Sequence, residues 1–351
     1  MSRQTAIFTD PLFMEHDPGF GHPESPDRLR VIYEMLAQPE QKDRYLRPTC
    51  PAADDETLAL NHTHPHIQRV AATDGKTYAS LDPDTNTSPQ SHAAARRAAG
   101  AMVEATRMVT SGEADNAFAL VRPPGHHAEA DRTSGFCLFN NIAIAAHYAI
   151  KRLGLERILI VDWDLHHGNG TQHSFYDTDK VLYFSTHQYP YFPGTGSLSE
   201  TGIGAGEGYT INVPLPGGQD DQAYARIFNE LLIPVAKAYK PELILVSAGF
   251  DISLGDPLGL MSVSNDGFAY LTGVMQNLAD EFCEGKLVLA LEGGYDLDGL
   301  RSGTAAVLRE LRDGKGLSDQ NRKTLANASP PLIALDQAMK IASKYWPLQN
   351  V

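Results

Sequence analysis

Short apolar runs, many of them β-branched, recur along the chain between longer stretches with helical spacing. Seven runs read as strands: 5–9 (TAIFT), 116–121 (NAFALV), 157–163 (RILIVDW), 181–186 (VLYFST), 209–213 (YTINV), 242–248 (ELILVSA) and 286–292 (KLVLALE). Several are apolar at successive positions, as a strand must be when helices cover both faces of its sheet. Between them the spacing predicts helices over 25–37, 91–110, 140–152, 221–239, 265–283, 298–313 and 334–344, the first with Ser25 as N-cap and Pro26 at its first position. This alternation predicts a mostly parallel, doubly wound α/β sheet. The Pro/Gly-rich stretches 188–208 and 214–219 fall inside the rhythm as loops. With no linker or repeat dividing it, 1–351 is expected to be one domain.

Composition is that of a globular protein, 42% hydrophobic and 21% charged. The net charge of −14 argues against a nucleic-acid partner and tolerates a cationic substrate. Cys50, Cys137 and Cys283 are scattered without a CxxC pair, which reads as a reduced chain with no disulfide framework. The N-terminus lacks the apolar stretch of a signal peptide, and no run approaches the ~20 residues of a membrane span. A cytoplasmic protein with no membrane partner is therefore expected.

The polar clusters change the picture. Ligands of open α/β sheets bind beyond the carboxyl ends of the strands, and five strand candidates run into unusual polar loops there: RPPGHHAEADRTSGF, DWDLHHGNG, THQYPYFPGTG, FDISLGDP and GGYD. Asp164 and His166 are two apart, so an extended segment points both the same way. Asp251, after another strand, offers a third ligand. Two carboxylates and an imidazole with an open position is a layout that catalytic Zn²⁺ uses, and the oxygen-rich set makes Fe²⁺ a competitor. Singly, Asp162, Asp164, His166 and His167 read better as turn caps and packed histidines. Together, four ionisable groups at a strand end need a compensating cation. His126 and His127, after a rigid Pro-Pro-Gly turn, suit proton transfer, or else a second metal or plain surface positions. Tyr295 follows two glycines that let its backbone turn closely; its phenol is placed to donate to an oxyanion, or is structural.

Together with HPESPDRL (22–29), the stretches RPPGHHA (122–128), SGFCLFNN (134–141), DWDLHHGNGTQ (162–172), STHQYPYFPGTG (185–196), SAGFDISLGDPLG (247–259) and LEGGYD (291–296) resemble the zinc-dependent histone deacetylase family. That family includes bacterial deacetylase-like amidohydrolases and acetylpolyamine amidohydrolases, and the wording is closest to its class II branch. The resemblance implies the arginase/deacetylase fold: a single domain with an eight-stranded parallel sheet flanked by helices on both faces. The core motifs span about 20–300, with helices over 298–345 packed on them. It implies Asp164, His166 and Asp251 as zinc ligands and His127 as the general base that later protonates the leaving amine. His126 is implied as its electrostatic partner supported by Asp162, and Tyr295 as the oxyanion donor. Phe136 and Phe192 match the walls of an acyl-lysine tunnel lined by the Gly135 carbonyl, and Arg28 matches an internal cavity beneath the metal. Structural K⁺ is implied at Asp162, Asp164, His166, Ser185 and Thr186, and at Phe175, Thr178, Val181 and Tyr209.

One departure from class I members is Asn169, where they carry an Asp paired with the base; a neutral amide leaves His127 less basic. Leu258 stands where polyamine-preferring relatives have Glu, which tilts the expected substrate toward acetylated lysine peptides over acetylated amines. Asp82 or Asp84 offers a rim carboxylate, and a homo-oligomer is compatible with the family. A non-catalytic acyl-lysine or zinc-binding module is disfavoured by the intact His126, His127 and Tyr295. An arginase-type binuclear site is disfavoured because DWDLHHGNG lacks DxHxD spacing. Gly-rich 194–208 leads into a strand, not a helix, so it is not a nucleotide loop.

Overall fold

Nine strands form in the described part of the chain, residues 2–348 of a computed structural model: β1 (Thr5–Phe8), β2 (Ala79–Ser80), β3 (Asn86–Thr87), β4 (Asn116–Ala119), β5 (Ile158–Asp162), β6 (Val181–Gln188), β7 (Thr210–Leu215), β8 (Leu243–Ala248) and β9 (Leu287–Leu291). Seven of them pair in parallel in the order β1-β4-β9-β8-β5-β6-β7, while β2 and β3 make a separate antiparallel ribbon. These seven coincide with the seven apolar runs, and almost every residue in them is buried, as a sheet covered on both sides demands.

The eight strands implied by family resemblance are corrected to seven. Leu46 lies beside Ala6 at the β1 edge as a single parallel bridge, its N–H donating to the Thr5 carbonyl (3.0 Å) and its carbonyl accepting from Ile7 N (2.9 Å). The next ladder donor on that segment is residue 48, a proline with no N–H, so pairing stops after one residue.

The predicted helices form as Asp27–Leu36, Ser91–Ser111, Asn141–Leu153, Asp221–Tyr239, Asn265–Phe282, Leu297–Asp313 and Ile333–Ala342. The run Asp221–Tyr239 widens into a π turn at Phe228–Leu232, just ahead of Pro234, which cannot continue the regular ladder. The first helix starts one residue later than expected: Pro26 occupies the N-cap with no side-chain cap, and Ser25 contributes its carbonyl to Arg28 N (3.2 Å). Short helices at Asp55–Leu58, His64–Ala71, Asn169–Ser174 and Asp319–Ala326 are too brief to show a period in sequence. Ser91–Ser111 packs on β4 and β9, Asn265–Phe282 on β8 and β9, and Ile333–Ala342 on β7. No helix among the described residues is long and apolar enough to cross a membrane.

This topology chooses where a ligand can bind. The connection after β5 leads to β6 on one side, and the connection after β8 leads to β9 on the other. The crevice beyond β5 and β8 is thus a topological switch point. The five strands that end in polar loops, β4, β9, β8, β5 and β6, are consecutive across it.

Leu245 is fully buried in the middle of β8, between β5 and β9. Leu245→Ala should cost about 2–5 kcal/mol in urea unfolding at an unchanged m-value; a loss well under about 1 kcal/mol would place this strand outside a two-sided core.

Candidate active site

β5 ends at Asp162, and two tight side-chain turns shape the loop beyond it. Asp162 Oδ1 accepts from Asp164 N (3.1 Å), and Asp164 Oδ1 accepts from His166 N (2.9 Å). Asp251, beyond β8, takes Leu165 N on Oδ1 (2.9 Å) and so ties the two strand-end loops together. From β9, Gly293 N donates to Asp164 Oδ2 (2.8 Å). A Cβ at Gly293 would collide with carboxylate oxygens of both Asp164 and Asp251, and Gly294 has φ +120°, so only glycine allows the chain this close before it turns to Tyr295.

The result is a buried group of three. Ligand atoms of Asp164, His166 and Asp251 all lie within 4.8 Å of one another. His166 Nδ1 is 3.3 Å from Asp164 Oδ1 and 3.1 Å from Asp251 Oδ2. Donors bonded at about 2.0 Å around a tetrahedral zinc are spaced about 3.3 Å apart, and the two spacings from His166 Nδ1 match that. The charges call for one. Burial and the neighbouring Asp164 carboxylate push Asp251 up. Burial opposes charge on His166 too, yet the two carboxylates lift it to about 9. Without a cation the site keeps a proton to offset its two acids.

The two adjacent histidines lie in opposite environments. His126 donates from Nδ1 to Asp162 Oδ2 (3.1 Å), with Nε2 at 3.8 Å from Asp164 Oδ1. Burial disfavours its charge, but Asp164, Asp162 and Glu292 outweigh that and lift it to about 10. Tyr183 steadies the same Asp162 oxygen through its hydroxyl (3.0 Å). His127, 4.0 Å away between ring centroids, is held well below the ordinary histidine range, first by burial and then by His126 and His166. Its partner is Asn169, whose Oδ1 is 2.8 Å from His127 Nδ1. Burial and the two neighbouring imidazoles are what lower His127, while the hydrogen bond to Asn169 acts the other way and raises it. His167 turns away, paired with Thr195 Oγ1 (2.7 Å) and Gln172 Oε1 (2.9 Å), and leaves the ligand group.

A cavity of about 280 Å³ opens onto this floor, lined by His127, His166, Gly135, Phe136, Phe192, Leu258 and Tyr295, with Asp84 among the remaining wall residues. That size suits one extended side chain better than a whole drug-sized ligand. The Phe192 ring stands edge-on to His127 (5.1 Å), and Phe136 edge-on to Tyr295 (6.1 Å). Phe136 adopts φ 70°, a strained conformation for a side-chain-bearing residue, held by its N–H to Thr85 Oγ1 (3.1 Å). Burial pushes the Tyr295 phenol well above its ordinary value, so it stays a donor. Arg28 sits with its guanidinium 5.0 Å from the Tyr295 ring centroid and donates to the Gly294 and Glu292 carbonyls (2.7 and 2.5 Å).

Of the positions matched to K⁺ sites, Asp162 and Ser185 are register partners on β5 and β6, and Thr186 follows with Oγ1 buried and unpartnered among the described residues. Phe175 and Thr178 bracket a turn closed by Thr178 N to the Phe175 carbonyl (3.4 Å), Val181 opens β6, and the Tyr209 carbonyl accepts from Tyr183 N (2.9 Å). Several supporting residues escaped the sequence reading. Asp256 accepts from Tyr295 N (2.6 Å) and Leu258 N (2.9 Å), anchoring two wall segments. Glu292 accepts from Gly125 N (2.7 Å) and His126 N (3.1 Å). Glu129 accepts from Asn169 Nδ2 (2.6 Å), and Tyr191 joins the cavity wall. The only signal for the acids was their place inside motif stretches read for other residues.

A family model described as "Histone deacetylase domain" matches residues 22–311. The chain is 42% identical over 331 residues to "Histone deacetylase 5" of Arabidopsis thaliana, covering 89% of this chain and 50% of that protein. It is 36% identical over 344 residues to "Histone deacetylase-like amidohydrolase" of Pseudomonas aeruginosa, covering 89% of this chain and 90% of that one. The crystal structure of the HDA15 HD domain superposes with a TM-score of 0.90 at 37% identity, over 99% of this chain and 96% of that one. The chain spans about half the length of several plant and yeast relatives it matches.

A divalent ion can bind only His166 in its neutral form. The cation-free pairing of His166 with the two acids stabilises the fold fully below its ordinary value of 6.5 and is lost as pH rises through about 9. Zinc binding between about pH 6 and 8 should therefore release a proton, and affinity should climb by up to about tenfold per pH unit. Calorimetry in two buffers of different ionisation enthalpy reads both; pH-independent affinity with no proton release would contradict this assignment of His166.

Proposed function

Since the chain belongs to the histone deacetylase family, we propose that it is a zinc-dependent deacylase that hydrolyses the amide of N-acetyl-lysine or a similar N-acyl amine. The observation that carries this reading is the meeting of His127, His166 and Tyr295 on one narrow cavity with aromatic walls. Zinc held by Asp164, His166 and Asp251 would supply Lewis acidity toward the acyl carbonyl and toward an attacking water.

The protein's own groups do the rest. His127, neutral because burial suppresses its charge, accepts a proton from water on Nε2 while Nδ1 donates to Asn169. It returns that proton to the leaving amine. His126, hydrogen-bonded through Nδ1 to Asp162, offsets negative charge as it develops. Tyr295 donates its phenolic hydrogen to the oxyanion, while Asp256 holds its backbone. Phe136 and Phe192 enclose the alkyl stem of the substrate and exclude water, with Gly135 and the apolar Leu258 lining the same cavity.

At the mouth, burial and Asp82 push the Asp84 carboxyl up to about 6, and Asp82 is pinned by the Thr133 hydroxyl. A rim acid there would take a peptide N–H. It would equally meet the far ammonium of an acetylpolyamine, and that observation, with the net charge of −14, keeps the small-amine substrate as the second reading. The orphaned Thr186 Oγ1 is the kind of buried oxygen that a K⁺ beside Asp162 and Ser185 would take up. A panel of acetylated lysine peptides and acetylputrescine, run with zinc-loaded protein, tests the proposal: peptide turnover supports it, amine turnover alone favours the second reading, and turnover of neither removes both.

Tyr295→Phe should bind zinc and substrate as the wild type does yet lose on the order of 10²–10³ in kcat. Zinc content together with steady-state kinetics checks this; near-normal kcat would take Tyr295 out of the chemistry.

A further inference from the structure

Asn169 has two chemically different faces, and the one it turns to His127 decides where the imidazole proton sits. Its Oδ1 lies 2.8 Å from His127 Nδ1, while Nδ2 donates to Glu129 Oε1 (2.6 Å) and to the His127 carbonyl (3.2 Å). Turned over, the amide would present its –NH₂ group to Nδ1. The imidazole would then have to carry its hydrogen on Nε2, the nitrogen a base needs free. An ionised carboxylate has no hydrogen to give, so an Asn169 carbonyl facing Glu129 would be two acceptors in contact.

Glu129 is itself well held. It is 6% exposed, His173 Nδ1 lies 2.9 and 3.0 Å from its two oxygens, and Arg132 comes within 3.4 Å. Its backbone N–H donates to the Arg132 carbonyl (3.0 Å), and its own carbonyl pairs with His62 Nδ1 (2.9 Å). Among the described residues, the hydrogen bond from Asn169 Nδ2 is what joins this carboxylate to His127.

We propose that Glu129 is a positioning residue of the hydrolytic site: by accepting from Asn169 Nδ2 it fixes the amide so that Oδ1 takes the His127 Nδ1 hydrogen and Nε2 is left as the base. The proposal rests on the reading of His127 as that base. An acid in place of Asn169 would need no such lock, because both its oxygens accept; an amide does.

Glu129→Gln keeps the volume but offers both a donor and an acceptor, so Asn169 is satisfied either way round. Expected is a kcat lower by about ten- to a hundredfold, the range typical when a residue orienting a site histidine is lost, with KM, zinc content and melting temperature close to wild type. In protein carrying ¹⁵N-labelled histidine, His127 should be the Nδ1–H tautomer in the wild type and a mixture in Glu129→Gln. Asn169→Asp alone sets two carboxylates against each other and should lose activity. Combined with Glu129→Gln, the introduced acid needs no orienting and the introduced amide can donate to it, so kcat should recover above that of either single variant. An unchanged tautomer with unchanged kcat in Glu129→Gln, or a double variant no better than the singles, would overturn the proposal. A wild-type protein inactive on every acetylated substrate would instead sink the hydrolase reading, and the tautomer populations would still decide what Glu129 does.

Discussion

Two buried carboxylates that need either a cation or a retained proton between them, Asp164 and Asp251, face a common point at the ends of adjacent strands. Burying each unpaired would cost several kcal/mol, and the surrounding chain is arranged around that penalty. His166 N, Gly293 N and Leu165 N each occupy a carboxylate oxygen. The Gly293 backbone approaches where no side chain fits. His126 carries positive charge alongside. A single divalent ion would complete the arrangement, and the parallel sheet offers a place for it, since β5 and β8 are the neighbours whose outgoing connections diverge.

The same electrostatics divides the two histidines. They are consecutive in sequence and 4.0 Å apart between rings, yet His126 is lifted and His127 lowered. One has the carboxylates, and the other has an amide and two imidazole neighbours. Groups whose environments drive their proton affinities apart are the usual sign of an acid–base division of labour. The amide adds a demand that a carboxylate would not, because its orientation has to be set by something outside the reaction.

The seven sheet strands were legible because burial on both faces leaves a continuous apolar run in each. The helices were legible because ten or more residues suffice to display a period. The hairpin of β2 and β3 and the helix His64–Ala71 were not, since two to eight residues carry too little pattern. The eighth strand implied by family likeness fails for a local reason, Pro48, that likeness does not weigh. At the site, Asp164, His166 and Asp251 could be grouped from sequence because each follows a strand, and parallel strands deliver their ends to one edge. Glu129, Asp256 and Glu292 could not. Their roles depend on which backbone or amide hydrogens happen to meet them across the loops, and no spacing along the chain encodes that. The polarity of residue 169 was visible, but its partner on the far side was not.

X-ray absorption at the zinc edge of the purified, zinc-loaded protein tests most directly whether one metal ion is gripped by a single imidazole and two carboxylates. One zinc per chain is expected at bond lengths of about 2.0–2.2 Å, with nitrogen and oxygen scatterers only and the outer-shell signal of one histidine. A spectrum requiring sulfur or several histidines, or a protein that retains no zinc, would contradict it.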